Sequence, residues 1–310
     1  MINVTQSFLP PIDEYSKILQ KSWDKKWITN RGELILELEN KLKFFLGIEN
    51  ITITTNGTLP LQIAIKALEL KGEIITTPFS YIASSSVIPW ENCTPVYVDI
   101  HPEYLTIDES KIEEKITEKT VAILATHVFG NPCNVEKIDE IAKKHNLKVI
   151  YDAAHCFGVK YNGESIFNFG NVSTCSFHAT KIFHTGEGGC MITADKELHE
   201  KLFYHHNFGH NGPEDFHGIG INAKTSELQA AMGLAVFNHL DEIFKGRKNA
   251  IGVYDEFLDF SKIKKMKLRG GTEWNYHYYP VIFESEETLL KVKEALNKEN
   301  IFPRRYFYPS

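Results

Sequence analysis

The chain has 310 residues, of which 43% are apolar, enough for one large α/β domain and a smaller one. Its net charge of -6 and pI near 6.1 argue against a nucleic-acid-binding protein, because no basic stripe is available to neutralise phosphates. The first residues lack a long apolar run and no segment reads as a membrane span, so we expect a cytoplasmic protein with no membrane partner.

The first two thirds of the chain alternate between helix-like and strand-like stretches. Apolar spacing and flanking turn residues predict helices at residues 32–46, 58–70 and 134–146, the first ending at Gly47. Short apolar runs predict buried strands at residues 72–77, 95–100, 120–126 and 148–153. Strand, helix and strand at this spacing imply parallel crossovers, so the fold class is α/β, an open and mostly parallel sheet with helices on both faces.

The remainder of the chain reads as a second unit. A long helix at 225–244 is expected to lead out of the sheet, followed by a helix at 247–258, a strand at 276–283 and a helix at 286–298. The predicted organisation is a large domain at residues 1–245, on which segment 1–31 packs, and a small α+β domain at residues 246–310.

The cysteines do not indicate a disulfide framework or a metal site. They are five in number, show no CxxC pair, and lie at Cys93, Cys133, Cys156, Cys175 and Cys190. We therefore expect buried, reduced thiols and no bound metal.

Four polar residue types follow two successive apolar runs in the middle of the chain. The first run ends in Asp152, two small residues and His155; the second ends in Ser176, with Lys181 five residues later and the Gly-rich turn TGEGG at 185–189. A carboxylate, an imidazole, a hydroxyl and an amine at the ends of successive strands are the groups that a pyridoxal 5′-phosphate site requires. The amine would attach the cofactor, and the carboxylate would keep its pyridine nitrogen protonated.

Each of these residues alone has an ordinary explanation. A single lysine is usually a solvated surface charge, and an aspartate at a strand end often caps the next helix. The order and spacing of the whole set favour the cofactor site.

The same segment resembles the DegT/DnrJ/EryC1/StrS group of sugar aminotransferases, which have the fold of aspartate aminotransferase (fold type I). Its SFHATKIFHTGEGG stretch, at residues 176–189, is most similar to members that form nucleotide-linked 4-amino-4,6-dideoxyglucose. Further similar stretches cover almost the whole chain in the same order, among them TTNGTLPLQIAIKAL (54–68), TPFSYIASSSVI (77–88), THVFGNPCN (126–134) and GINAKTSELQAAMG (220–233).

The resemblance implies a role for several residues. Lys181 would carry the cofactor and move a proton, Asp152 would bind the pyridine nitrogen, and His155 would lie near the ring hydroxyl. The remaining cofactor contacts would come from Gly57, Thr58 and Ser176 at the phosphate, Tyr81 stacked on the ring, and Asn222 at the phosphate of the neighbouring subunit. Weaker candidates for contact with a sugar nucleotide are Arg31, Lys224, His205, His206 and His210.

The resemblance also implies the reaction. We expect a homodimer with shared active sites that moves an amino group from glutamate to a dTDP-4-keto-6-deoxyhexose, with pyridoxamine 5′-phosphate as the amino-carrying form of the cofactor. The product would serve O-antigen, glycoprotein or antibiotic sugar synthesis. Members of the group continue beyond the residues matched by 304–310, so the small domain is expected to be incomplete.

Three alternatives remain open. Amination at C3 is the nearest, although relatives that act there tend to carry FYPxKNLGALGD around the lysine, which this chain lacks. A dehydratase of the same fold would have histidine in place of Lys181. A non-catalytic binding or regulatory paralogue is the third.

Overall fold

The computed structural model describes residues 1–308, in which helices and strands alternate as expected. The α-helices are α1 Ile12–Asp24, α2 Glu33–Leu46, α3 Leu59–Ala67, α4 Ile82–Trp90, α5 Val135–His145, α6 Lys196–His206, α7 Glu227–Phe237, α8 Leu240–Phe257 and α9 Glu286–Lys298. The strands are β1 Ile2–Asn3, β2 Ile51–Thr54, β3 Glu73–Thr76, β4 Thr94–Tyr97, β5 Thr120–Thr126, β6 Lys148–Asp152, β7 Lys160–Tyr161, β8 Glu164–Ser165, β9 Val172–Ser176, β10 Gly189–Ile192, β11 Lys264–Lys265, β12 Thr272–Glu273, β13 Val281–Ile282 and β14 Ile301–Phe302.

A seven-stranded sheet forms the centre of the molecule, in the order β2-β10-β9-β6-β5-β3-β4. Strands β9, β6, β5, β3 and β4 pair in parallel, and β10 is antiparallel to both of its neighbours. The carboxyl ends of β2, β6 and β9 therefore lie along one edge of the sheet. Ligands of open α/β sheets bind at this edge.

Two apolar cores cover the two faces of the sheet. Alternate residues of the strands point to opposite faces, so that Ile75 and Ile123 join one core while Ile74 and Leu124 join the other. Helices α2, α5 and α7 contribute to the first core, and α3, α4 and α6 contribute to the second. The predicted α/β class, with helices on both faces, is confirmed in these residues.

The break between the predicted helices 225–244 and 247–258 lies earlier in the chain than the sequence pattern indicates. Helix α7 ends at Phe237 and α8 starts at Leu240, whereas the apolar pattern predicts one helix through residue 244. The break is held by α1, because Glu14 accepts hydrogen bonds from Asn238 at 2.6 Å and from His239 at 2.9 Å. This partner is far away in the sequence, so the local pattern contained no sign of it.

The predicted strand at 276–283 was too long. Only β13, Val281–Ile282, is a strand, and Tyr276 has a left-handed backbone with φ of 57° that interrupts an extended chain. Residues 277 and 278 instead turn into the interior, beside the carboxyl edge of the sheet.

The C-terminal residues make several contacts with the preceding part of the chain. Strand β12 pairs with β7, and β14 pairs in parallel with β1. Helix α8 runs through residues 245 and 246 without interruption. The division into domains at residue 245 stays a prediction.

Within residues 1–308, no helix is both long and apolar enough to cross a membrane. The five cysteines of this part of the chain are all buried with free thiols, as expected.

A buried carboxylate joins α7 to α2. Glu227 is completely buried and accepts hydrogen bonds from the N–H groups of Leu34 at 2.8 Å and Ile35 at 3.3 Å, and from the Ser22 hydroxyl at 3.1 Å. These N–H groups belong to the first turn of α2, where the helix dipole favours a negative charge.

Substituting Glu227→Gln should therefore lower the free energy of unfolding by about 2 kcal/mol, because the amide keeps only one acceptor oxygen and loses the charge. Urea denaturation of both proteins measures the difference. The matched control is Glu37→Gln in α2, which removes a surface ion pair with Lys21 and should cost less than about 1 kcal/mol. Equal losses in the two variants would contradict the role of Glu227.

Candidate active site

Asp152 ends β6 at the carboxyl edge of the sheet and is 7% exposed. Its Oδ2 accepts a hydrogen bond from the Ser84 hydroxyl at 2.5 Å, and its Oδ1 accepts one from the Ala154 N–H at 3.0 Å. Ser84 belongs to α4, so a neighbouring helix and the turn after the strand fix the carboxylate together.

Lys181 lies in the turn between β9 and β10. This turn is closed by backbone hydrogen bonds, including Ala179 N–H to the Gly186 carbonyl at 2.7 Å and Lys181 N–H to the His178 carbonyl at 2.8 Å. The half-buried Lys181 amine donates a hydrogen bond to the Tyr278 hydroxyl at 3.2 Å. Burial lowers the pKa of Lys181, and the nearby Asp152 carboxylate opposes that shift only in part. The lysine therefore becomes a neutral nucleophile more readily than a surface lysine does.

His155 is buried beside Lys181 and is a neutral imidazole. Burial holds its pKa well below the ordinary value, and the charge of Lys181 adds to the effect. The Phe129 N–H donates to His155 Nδ1 at 2.9 Å, so the ring proton belongs on Nε2. The imidazole then presents one N–H donor to the site.

Gly57 and Ser176 lie in direct contact. A Cβ on Gly57 would be 2.7 Å from Ser176 Cβ. The space beside the serine hydroxyl therefore exists because residue 57 is a glycine. The contact brings the turn after β2 to the end of β9, as expected for residues that bind one phosphate group.

The first N–H groups of α3 already have hydrogen-bond partners. The N–H groups of Thr58 and Leu59 both donate to Asn56 Oδ1 at 2.9 Å, and Pro60 has none. The exposed Thr58 side chain and the backbone of Gly57 are the remaining groups of this turn that can contact a phosphate.

Tyr81 precedes α4 and is 57% exposed. It lines a cavity of about 50 Å³ together with Ser80, Ile82, Arg304, Arg305, Phe307 and Tyr308. Its stacking on a cofactor ring stays a prediction.

The weaker candidates gather in a different place. Arg31, His206 and Lys224 line a cavity of about 10 Å³, where Arg31 forms an ion pair with Glu39 at 2.7 Å. Burial lowers the pKa of His206 to about 4. The Lys224 amine donates to the side chain of the exposed Asn222 at 2.9 Å.

His205 and His210 also make their contacts at a distance from Lys181. His205 Nδ1 lies 2.8 Å from the Lys201 carbonyl of its own helix, and the His210 ring packs on Phe216 at 4.5 Å. None of the side-chain contacts named here for the five candidates, all within residues 1–308, involves Lys181, Asp152 or His155.

Three residues of the site were missed by sequence reasoning. Ser84 lies in a run of small residues and Asn56 in a turn, where hydroxyls and amides are common. Tyr278 lies in the aromatic stretch YHYYP, whose pattern indicated only a strand.

These residues fit pyridoxal 5′-phosphate. The chain offers an amine, a fixed carboxylate, an imidazole N–H donor, and a hydroxyl beside a space that a Cβ at residue 57 would fill.

A mostly parallel sheet with this group of residues at its carboxyl edge defines a fold type I aminotransferase. The profile of the DegT/DnrJ/EryC1/StrS aminotransferase family matches residues 12–310, and the chain belongs to this family. The predicted family, fold and enzyme class are thereby confirmed.

Three known proteins illustrate the likeness. The chain is 44% identical to a dTDP-4-amino-4,6-dideoxy-D-glucose transaminase of Shigella dysenteriae, over 99% of this chain and 85% of the relative. It is 38% identical to the Escherichia coli protein of the same name, over 99% and 84%. The crystal structure of DesI in the presence of its TDP-sugar product superposes with a TM-score of 0.93 at 29% identity, covering 100% of this chain and 80% of DesI.

The contact between Gly57 and Ser176 predicts that Gly57→Ala weakens binding of pyridoxal 5′-phosphate. A misfit of one methyl group costs about 1–3 kcal/mol, so the dissociation constant should rise roughly 5- to 150-fold. Titration of the apoprotein, followed by tryptophan fluorescence, measures it.

Gly246→Ala is the matched control, because apart from the adjacent backbone of its own helix nothing lies within 4 Å of the added methyl group. Its affinity should equal that of the wild type. Unchanged affinity in Gly57→Ala would remove Gly57 from the phosphate site.

Proposed function

We propose that this protein transfers the amino group of glutamate to a dTDP-4-keto-6-deoxyhexose, giving 2-oxoglutarate and a dTDP-4-amino-4,6-dideoxyhexose. The observation that carries the proposal is the half-buried Lys181 amine, with its lowered pKa, close to the fixed Asp152 carboxylate and the neutral His155. The 44% identity to a dTDP-4-amino-4,6-dideoxy-D-glucose transaminase supports the choice of sugar.

Pyridoxal 5′-phosphate, when bound, supplies an electron-accepting ring that stabilises negative charge on the carbon whose C–H bond breaks. Lys181 would attach it, and the other residues that would hold it are Gly57, Thr58, Tyr81, Asp152, His155 and Ser176. The buried carboxylate of Asp152 would favour the protonated form of the pyridine nitrogen. The Nε2–H of His155 would donate to the ring oxygen.

Lys181 has a second role as the group that moves the proton. Because burial lowers its pKa, a larger fraction of the amine is neutral near neutral pH and can accept a proton from the glutamate carbon. The same amine then gives a proton to the sugar carbon that receives the nitrogen. The turn that carries Lys181 keeps the nitrogen in place for both transfers.

The C4 position is favoured over C3 by the sequence around the lysine. SFHATKIFHTGEGG resembles that of the 4-aminating members, and the KNLGALGD of the 3-aminating ones is absent. The flanking turn decides which sugar carbon lies beside Lys181.

The enzyme is proposed to act in the cytoplasm as a homodimer, in which Asn222 serves the site of the neighbouring subunit. The exposure of Asn222 supports a role outside its own subunit.

In a mixed dimer of Lys181→Ala and Asn222→Ala chains, one site would carry both lesions and the other none, so activity should return. No return of activity in a proven heterodimer would assign Asn222 to its own chain.

The reaction is tested by incubating the protein with cofactor, glutamate and dTDP-4-keto-6-deoxyglucose. NMR of the product should show nitrogen at C4, and borohydride should fix the cofactor to Lys181 in the digested protein. Label on a different lysine would refute the assigned site, and nitrogen at C3 would refute the regiochemistry alone.

Asp152→Asn should keep the cofactor but lose about 10²–10³ in turnover, because a neutral amide does not stabilise the positive ring nitrogen. The control is Asp139→Asn on the exposed side of α5, where only an ion pair with Lys143 is lost and turnover should not change. Near-normal turnover in Asp152→Asn would exclude the assigned role.

A further inference from the structure

Tyr278 is the direct hydrogen-bond partner of Lys181 in this structure. The two residues are 97 positions apart, and the lysine amine donates to the Tyr278 hydroxyl at 3.2 Å. Tyr278 comes from the segment between β12 and β13, which packs against the carboxyl edge of the sheet.

Aromatic rings on several sides hold the Tyr278 side chain in place. Its ring centroid lies 4.1 Å from that of His277, 4.4 Å from His155, 5.5 Å from Phe129 and 5.9 Å from Tyr306. Contacts of this kind restrict the orientation of a ring, so the hydroxyl has a defined position.

The hydroxyl of Tyr278 keeps its proton, because burial raises the pKa of this residue well above the ordinary value. A protonated hydroxyl can accept a hydrogen bond from a charged amine and donate one to the lone pair of a neutral amine. Tyr278 can therefore bond Lys181 in both protonation states, without adding a charge to the site.

Other titratable groups also face Lys181. They are Asp152 at the end of β6, Cys175 in β9, Tyr81 before α4, Arg304 near the C-terminal end of the described chain, and the histidines His155 and His277. Burial holds the pKa of both histidines well below the ordinary value, so that they remain neutral in the working range of pH. Asp152 favours the charged lysine and Arg304 the neutral one.

We propose that Tyr278 is a positioning residue for Lys181, whose hydroxyl holds the amine in one orientation while the amine gains and loses its proton. The inference rests on the proposed function, in which Lys181 attacks the cofactor aldehyde and then moves the proton. The Tyr278 hydroxyl acts on the reactivity of the Lys181 amine. This role requires no contact between Tyr278 and the sugar.

The test follows the attachment of pyridoxal 5′-phosphate to the apoprotein by stopped-flow absorbance between pH 6 and 10. The plateau rate at high pH reports the reactivity of the neutral amine, and the midpoint of the profile reports the pKa of Lys181.

Tyr278→Phe keeps the ring but removes the hydroxyl. Loss of one hydrogen bond should lower the plateau about tenfold. The midpoint should move to lower pH, because the buried ammonium loses an acceptor.

Tyr279→Phe is the matched control. Its hydroxyl donates to Asp255, away from Lys181, so both plateau and midpoint should stay at the wild-type values. Tyr278→His, whose ring nitrogens can accept and donate, should restore part of the plateau and serves as a second variant if the phenylalanine variant does not fold.

The direction of the midpoint separates positioning from a general structural role. A loosened site would admit water to Lys181 and move the midpoint to higher pH, which would overturn the inference. Unchanged plateau and midpoint would also overturn it and leave the proposed function intact. Attachment of the cofactor at a lysine other than Lys181 in the wild type would overturn both.

Discussion

The close approach of three backbone segments at Gly189 is the constraint on which the site depends. A Cβ at this residue would lie 2.4 Å from the Asn56 carbonyl oxygen and 2.8 Å from that of Cys175, so no side chain fits there. Strand β10 starts at Gly189 and pairs with β2 on one side and β9 on the other, aligning Thr54 with Gly189 and Gly189 with Ser176. This register brings the turn after β2 to Ser176 and places the Lys181 turn at the same edge.

The electrostatic character of the site follows from burial around that edge. The buried histidines His155 and His277 are neutral, the pKa of Lys181 is lowered and that of Tyr278 is raised, and in every case burial is the largest cause. The uncharged forms of these groups are those that attack a carbonyl, accept a proton or donate a neutral hydrogen bond. The protein environment therefore prepares the side chains for amino transfer before any substrate enters.

The sequence predicted those parts of the structure that depend on local pattern. The buried strands β3, β5 and β6, the end of α2 at Gly47, and the position of Asp152 and Ser176 at strand ends all follow from apolar periodicity and turn residues. Strand β4 was wrongly predicted to be buried, because it is the edge strand of the sheet and its residues are exposed or half-buried. The helix break at His239 and the contact of Tyr278 with Lys181 depend on partners far along the chain, and no local pattern records them. Asn56 was missed for another reason, since a turn asparagine looks the same whether or not it caps a helix.

The parallel pairing of β1 with β14 has a consequence for biosynthesis. Ile2 pairs with Ile301, so the partners are separated by about 300 residues. A ribosome adds roughly 5–20 residues per second, and the first strand therefore remains without its partner for about 15–60 s after it is made. During that time its backbone groups are exposed to water or to other chains. The strand is only two residues long, which leaves a very small edge for incorrect pairing.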